Sequence, residues 1–143
     1  MKIVIMDAQG GGMGRMLVEG LKQALPEQPV IAVGTNALAT AAMLKAGADQ
    51  AATGENAIMV CAAQADLILA PIGMVLADAM LGEVTDNMAV AIGRSPAHKI
   101  LLPNIGRNAA SRCQTTVVGA TKMTMSEAVV KAVEETVSRV KGC

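Results

Sequence analysis

Hydrophobic residues of this 143-residue chain occur in short uninterrupted runs, separated by longer stretches in which polar and apolar positions mix. The runs are rich in β-branched residues and show no period-two alternation, a pattern typical of strands buried on both faces of a parallel sheet. They predict strands over Ile3–Met6, Val30–Val33, Gln50–Thr53, Leu67–Ala70, Ile100–Leu102 and Thr115–Val118.

The stretches between these runs carry helix signals. Leu17, Leu21 and Leu25 recur on one helical stripe, and Pro26 ends that segment. Near the end of the chain, Ser126 is a candidate N-cap before valines that share one helical face. Helices are predicted over Met13–Leu25, Ala37–Ala46, a segment that ends at Gln64, Met74–Leu81, Asn87–Gly93 and the segment after Ser126.

Strands that alternate with helices predict an α/β fold. We expect a three-layer Rossmann-like domain, with a mainly parallel sheet of five or six strands and helices on both faces. Neither a linker nor an internal repeat interrupts the pattern, so residues 1–143 are predicted to form one domain. The pattern leaves the strand order open.

Composition removes several classes of function. The chain has no Phe, Tyr or Trp, which disfavours modules that stack nucleic-acid bases. Its 12 basic and 12 acidic residues balance, so no electrostatic footprint for nucleic acid or a membrane surface exists. One histidine and three cysteines without CxxC spacing predict neither a metal site nor a disulfide framework. The chain begins directly with the first strand, so we expect a cytoplasmic protein.

The most informative segment lies between the first strand and the first helix. Glycines allow a tight turn there and bring backbone N–H groups close to a ligand, while the helix N-terminus favours phosphate or carboxylate. A positive side chain in the first turn adds a charge-assisted contact. The predicted ligand-binding residues of this loop are Gln9, Gly10, Gly11, Gly12, Met13, Gly14 and Arg15.

Known loop templates fit only in part. Against G-x-G-x-x-G, Gly11 and Gly14 match the second and third glycines, whereas Gln9 occupies the first position. A P-loop fits less well, because Arg15 replaces its lysine. NAD(P) or another nucleotide therefore stays open as a cofactor. The alternative is that the glycines only allow the helix and the strand to pack closely.

Further polar residues fall at the predicted carboxyl ends of strands, where open α/β sheets carry their crevice. Thr35 and Asn36 stand where dinucleotide-binding domains place a carboxylate, and we predict that they and Gly73 contact a ligand. The alternative for the polar residues is helix capping. Asp7 and Glu55 are candidates for a general acid or base, against the simpler interpretation of solvated carboxylates. Asp78 and Glu83 are the other acidic residues near these loops.

Four motifs together resemble a small uncharacterised bacterial family of Rossmann-like proteins. They are DAQGGGMG at 7–14, AVGTNALATAAMLKAGAD at 32–49, ATGENAI at 52–58 and APIGM at 70–74, followed by LGEVT. The resemblance implies a Rossmann-like fold and brings no activity, cofactor or catalytic residue with it.

Three functional hypotheses follow. The first is a protein that binds a nucleotide or a phosphorylated metabolite through the glycine loop. The second is a small metabolic enzyme acting on a phosphorylated or carboxylated substrate, and the third is a structural or regulatory homo-oligomer. We expect self-association in any of these cases, and neither nucleic acid nor membrane as a partner. The ligand, the oligomeric state and the role of the Asn104–Arg112 loop are left open.

Overall fold

The computed structural model describes residues 1–103, 113, 115–120 and 122–142. Within these residues, five strands form one sheet with the order β3-β2-β1-β4-β5, and every neighbouring pair is parallel. The strands are β1 (Ile3–Asp7), β2 (Val30–Gly34), β3 (Gln50–Thr53), β4 (Leu67–Pro71) and β5 (His98–Leu102). The helices are α1 (Gly12–Ala24), α2 (Ala37–Lys45), α3 (Glu55–Gln64), α4 (Asp86–Arg94) and α5 (Met125–Lys141).

Helices cover both faces of the sheet. Ile3 and Ile5 of β1 point into a core shared with α1, α2 and α5, whereas Val4 and Met6 point into a core shared with α3 and α4. All five residues of β1 are buried, as expected for the central strand of a sheet covered on both sides. The predicted three-layer α/β fold with a parallel sheet is confirmed, with five strands in the described residues.

The predicted strand over Thr115–Val118 is wrong. These residues form no strand, and the segment turns at Gly119, whose φ is +90°. The Ala120 amide donates to the Val117 carbonyl at 3.1 Å and closes that turn. Val118 is 95% exposed, so its β-branched side chain marks no buried strand.

The predicted helix over Met74–Leu81 is also wrong. A short 3-10 helix spans Ile72–Val75, and the chain then turns repeatedly up to residue 84. Asp78, Met80 and Leu81 all have positive φ, between 58° and 63°, which an α-helical ladder cannot accommodate. Met, Leu and Ala favour helices locally, but the contacts of this segment override that preference.

The last helix begins earlier than predicted. Thr124, rather than Ser126, is the N-cap of α5, and it forms a capping box with Glu127. The Thr124 hydroxyl accepts from the Glu127 amide at 3.2 Å, while the Glu127 carboxylate accepts from the Thr124 amide at 2.7 Å. These hydrogen bonds lower the pKa of Glu127 and fix where the helix starts.

Candidate functional site

The carboxyl ends of β1 and β2 lie side by side. Asp7 is in register with Gly34, and the Thr35 amide donates to the Asp7 carbonyl at 3.0 Å. The loop from Ala8 to Gly11 and the turn at Thr35 and Asn36 are therefore neighbours. The sheet reverses its winding between β1 and β4, the point at which open α/β sheets form a crevice.

The loop after β1 turns tightly through two residues with positive φ, although the first of them is not glycine. Gln9 has φ +51°, the left-handed conformation that the first glycine of G-x-G-x-x-G supplies. Gly11 has φ +70°, and a Cβ on it would lie 2.8 Å from the Cα of Ala39. A Cβ on Gly14 would lie 2.8 Å from the Cβ of Asp7. Gly11 and Gly14 thus allow α1 to pack closely on α2 and β1.

Asp7 connects the end of β1 to the beginning of α1. Its side chain is buried, and its two oxygens accept from the amides of Ala8 at 2.8 Å and Gly14 at 2.7 Å. These hydrogen bonds fix the shape of the glycine loop. A role for Asp7 as a general base would have to compete with both of them.

The amino end of α1 is open. Its N-cap is Gly11, which offers no side chain, and its first turn contains no acidic residue. Gly10 and Gly12 face open space, since a Cβ on either would meet no atom of the described residues within 4 Å. Among the described residues, the amides of Gly10, Gly12 and Met13 have no hydrogen-bond acceptor. These three N–H groups therefore remain available to an anion.

Met13 and Arg15 differ in what they offer at this end of α1. The side chain of Met13 is buried in the core, so only its backbone faces the loop. The guanidinium of Arg15 is half exposed and lies 2.8 Å from Glu19, one helical turn further on. An exposed pair of this kind contributes little to stability, so Arg15 can exchange it for a ligand phosphate.

A single carboxylate joins three loops at this edge. Oε1 of Glu83 accepts from the Gln9 amide at 2.7 Å, from Nδ2 of Asn36 at 2.5 Å and from the hydroxyl of Thr35. We call these four residues the Glu83 clamp. Partial burial disfavours the charged form of Glu83, but the hydrogen bonds outweigh burial and lower the pKa of this carboxyl. The sequence placed Glu83 near the loops and marked its three partners as candidate ligand contacts, but no pattern in the sequence pairs Glu83 with them.

Asn36 both caps a helix and belongs to the clamp. Its Oδ1 accepts from the Ala39 amide at 2.9 Å, which makes it the N-cap of α2. Its Nδ2 donates to Glu83 and also to the Gln9 carbonyl at 3.0 Å. The capping alternative is therefore correct for Asn36, and its amide group still holds the glycine loop beside β2.

Gly73 lies in a packed interior. A Cβ on it would come within 2.7 Å of the Cys113 sulfur and 2.8 Å of the Met80 side chain. Gly73 is also buried, so its packing does not favour the predicted contact with a ligand, which stays a prediction.

The thiol of Cys61, on α3, is partly buried. Burial raises the pKa of this thiol, although the charge of Lys2 partly offsets this effect.

Glu55 lies at the same edge, at the start of α3. It follows Gly54, whose φ is +103°, and its Oε1 accepts from the Thr85 hydroxyl at 2.5 Å. Thr85 is also the N-cap of α4. Glu55 therefore connects the beginnings of α3 and α4. Its partner Thr85 lies two residues after Glu83 in the chain.

Other features of the described residues lie elsewhere or are absent. Open grooves of about 420 Å³ and 410 Å³ lie at the opposite edge, where the strands begin, and His98 lines the first of them. The described residues contain no cluster of three or more His, Cys, Asp or Glu side chains able to hold a metal ion. Over the same part of the chain, no helix is long and apolar enough to cross a membrane.

Strand order, parallel pairing and the glycine loop define the class: this is a Rossmann-like α/β domain. Residues 2–141 match the family described as Domain of unknown function (DUF3842), and the chain belongs to that family. The fold is similar to that of a dodecameric FMN-dependent UbiX-like decarboxylase from Escherichia coli O157:H7. The TM-score is 0.49 and the identity 16%, over 99% of this chain and 94% of that chain. No curated protein sequence matches the chain significantly.

Proposed function

We propose that this protein binds a nucleotide or another phosphorylated metabolite at the carboxyl edge of its sheet. The observation that carries the proposal is the open amino end of α1, where, among the described residues, three amides lack acceptors and two glycines face open space. Orphan N–H groups and the positive end of a helix dipole stabilise an anion, and a phosphate can bond several of these groups at once.

The glycines have separate parts in this proposal. Gly11 and Gly14 shape the loop through packing, whereas Gly10 and Gly12 leave its outer surface bare for close approach of a ligand. The buried Asp7 holds that surface in place from beneath. Among the residues predicted from the sequence, we therefore assign ligand contact to Gln9, Gly10, Gly12, Met13 and Arg15, and clamp contact to Thr35 and Asn36.

The first experiment asks whether the purified protein carries a ligand. Native mass spectrometry of freshly purified protein reports the mass of any bound molecule directly. Because the chain has no Trp or Tyr, a bound nucleotide, nicotinamide or flavin would also dominate the near-ultraviolet absorbance.

The second experiment places the ligand on the loop. Titration calorimetry with inorganic phosphate and with ADP compares the wild type with Gly12→Val and Gly93→Val. Neither glycine has an atom within 4 Å of its Cβ position, but Gly93 lies in α4, away from the loop. We expect Gly12→Val to weaken binding about tenfold or more, and Gly93→Val to leave it unchanged. Equal affinity in a folded Gly12→Val protein contradicts this placement.

An enzyme acting on a phosphorylated or carboxylated metabolite is the second candidate function. The position of Glu55 favours it, since this partly exposed carboxylate lies at the same edge as the glycine loop. Asp7 fits the role of acid or base less well, because two amides already bond its oxygens. Turnover of the co-purified metabolite that survives Glu55→Gln would exclude Glu55 as the acid or base.

Self-association is supported by apolar side chains on the helix surfaces. Several of them are between 40% and 68% exposed, on α2, α3 and α4: Leu38, Leu44, Met59, Val60 and Val90. Exposed apolar side chains of this size favour contact with a second copy of the chain. Light scattering at increasing protein concentration tests this expectation, and a monomer throughout contradicts it.

A further inference from the structure

The end of β2 lacks the carboxylate that dinucleotide-binding domains use to hold ribose hydroxyls. Gly34-Thr35-Asn36 stands at this position, and none of these residues is acidic. The fold nevertheless brings a carboxylate there from elsewhere. Glu83 reaches it from the segment after β4, and its Oε1 accepts hydrogen bonds from both Thr35 and Asn36. Dinucleotide-binding domains hold the ribose hydroxyls with a carboxylate at the end of β2. In this protein Glu83 supplies a carboxylate beside that strand end, held in place by its hydrogen bonds.

The two carboxylate oxygens of Glu83 differ in the hydrogen bonds that they accept. Oε1 accepts three hydrogen bonds, from a backbone amide, a hydroxyl and a side-chain amide. Within the described part of the chain, Oε2 has no donor. Glu83 is only partly buried, so this second oxygen can accept from water or from a ligand. The hydrogen bonds on Oε1 keep the carboxylate ionised and fix its position, so Oε2 is a preorganised acceptor.

The acceptor lies next to the open end of α1. The Gln9 amide donates to Glu83, while the amide of the next residue, Gly10, has no acceptor among the described residues. Consecutive residues are separated by about 3.8 Å between Cα atoms. A phosphate on the amides from Gly10 onward and a hydroxyl on Glu83 are therefore within reach of a single sugar phosphate.

We propose that Glu83 determines the ligand specificity of this site, by accepting a hydrogen bond from a sugar hydroxyl of a ligand whose phosphate binds the glycine loop. The inference deepens the proposed function and rests on it. It narrows the ligand to a ribonucleoside 5′-phosphate or a similar sugar phosphate with free hydroxyls. A second phosphate on that sugar would meet the Glu83 carboxylate and be repelled, so NAD fits the site and NADP does not.

The test compares three nucleotides that differ at one position: ADP, 2′-deoxy-ADP and 2′-phospho-ADP. Titration calorimetry at neutral pH measures each with the wild type, with Glu83→Gln and with the control Glu27→Gln. Glu27 is an exposed carboxylate between α1 and β2, at the opposite edge of the sheet, so the control removes the same charge. Far-ultraviolet circular dichroism checks that each variant is folded.

The wild type and Glu27→Gln should bind ADP about tenfold or more tightly than either analogue. In Glu83→Gln we expect the preference over 2′-deoxy-ADP to fall below about threefold. Discrimination against 2′-phospho-ADP should fall about tenfold, because glutamine is neutral and can donate. If Glu83→Gln does not fold, the wild-type ranking decides, and equal or tighter binding of either analogue overturns the inference.

The outcomes separate this inference from the proposed function. Binding of inorganic phosphate that Gly12→Val abolishes, with no binding of ADP at millimolar concentration, overturns the role of Glu83 and leaves the phosphate site standing. A folded Glu83→Gln protein that prefers ADP over the two analogues as strongly as the wild type also overturns the role of Glu83 and leaves the phosphate site standing. Binding of none of these probes by the wild type overturns both.

Discussion

The carboxylate of Glu83 accepts a hydrogen bond from the hydroxyl of Thr35, although the two residues are 48 positions apart in the chain. The same oxygen accepts from the amide of Gln9, at a separation of 74 positions. Three loops at the carboxyl edge of the sheet therefore depend on one side chain for their relative position. That dependence has consequences for stability as well as for binding.

Replacing Glu83 by alanine should destabilise the fold. The change removes the common acceptor of three donors that are partly buried, and water replaces it only in part. We expect the free energy of unfolding to fall by about 1–2 kcal/mol in urea titrations. The matched variant Glu27→Ala, on an exposed residue, should stay within about 0.5 kcal/mol of the wild type. Equal stability of the two variants would mean that the clamp contributes nothing to folding.

The contribution of Glu83 should depend on pH in a defined direction. Its pKa is lowered in the folded protein, so the unfolded state binds the proton more readily and acidification favours unfolding. The contribution is complete above the ordinary glutamate pKa of about 4.3 and is lost as the pH falls through the lowered value. The difference in unfolding free energy between wild type and Glu83→Gln, measured from pH 6 to pH 3, should therefore shrink. A difference that stays constant across this range contradicts the assignment.

Two glycines of the same loop should respond differently to alanine. A Cβ on Gly14 would lie 2.5 Å from the Met43 sulfur and 2.8 Å from the Cβ of Asp7, so α1 must shift away from β1. We expect Gly14→Ala to lose about 1–3 kcal/mol. Gly12→Ala should be neutral within about 0.5 kcal/mol, because its Cβ meets nothing within 4 Å. Thermal unfolding measures both, and similar losses would contradict the packing role of Gly14.

The start of α5 offers a test of helix capping. Thr124→Ala removes the side-chain acceptor of the Glu127 amide and should cost about 1 kcal/mol of stability. Ser126 lies inside the first turn and is exposed, so Ser126→Ala should change stability little. If Ser126→Ala were the more damaging substitution, the helix would begin where the sequence pattern predicted.

Most of the fold could be predicted from the sequence, because buried strands are encoded locally. The β-branched run that begins at Ile3 and the one that begins at Val30 start their strands at the predicted residues, and Gln50–Thr53 agrees at both ends. The family resemblance drawn from four motifs is confirmed by the match over residues 2–141. In each case neighbouring residues along the chain hold the information.

Two segments were predicted wrongly because local preference and tertiary contact disagree. Met74–Leu81 contains good helix formers, but the Asp78 amide bonds the Val84 carbonyl at 2.8 Å and closes a compact turn. The turn presents Glu83 to its partners, so the site depends on the deviation. Thr115–Val118 contains residues that favour strands, but Val118 is exposed, so the segment has no buried side chain there to hold it in a sheet. The Asn104–Arg112 loop lies outside the described residues.

The candidate site was only partly predictable. The glycine loop and the turn at Thr35 and Asn36 follow from strand ends that the sequence identifies. The clamp depends on contacts across 47 to 74 positions, and no local pattern reports such contacts. Gly73 was predicted to contact a ligand because it follows a strand, but Cys113 and Met80 fill the space at its Cβ position, so its packing does not support that prediction.

Gln9 carries a consequence for how such loops are recognised. Its backbone has φ +51°, a left-handed conformation held without the glycine that the motif has at its first position. The glycine motif thus describes a series of backbone conformations, and glycine is the residue that adopts them most readily. A search for glycines alone therefore overlooks this position of the loop, because Gln9 holds the left-handed conformation here.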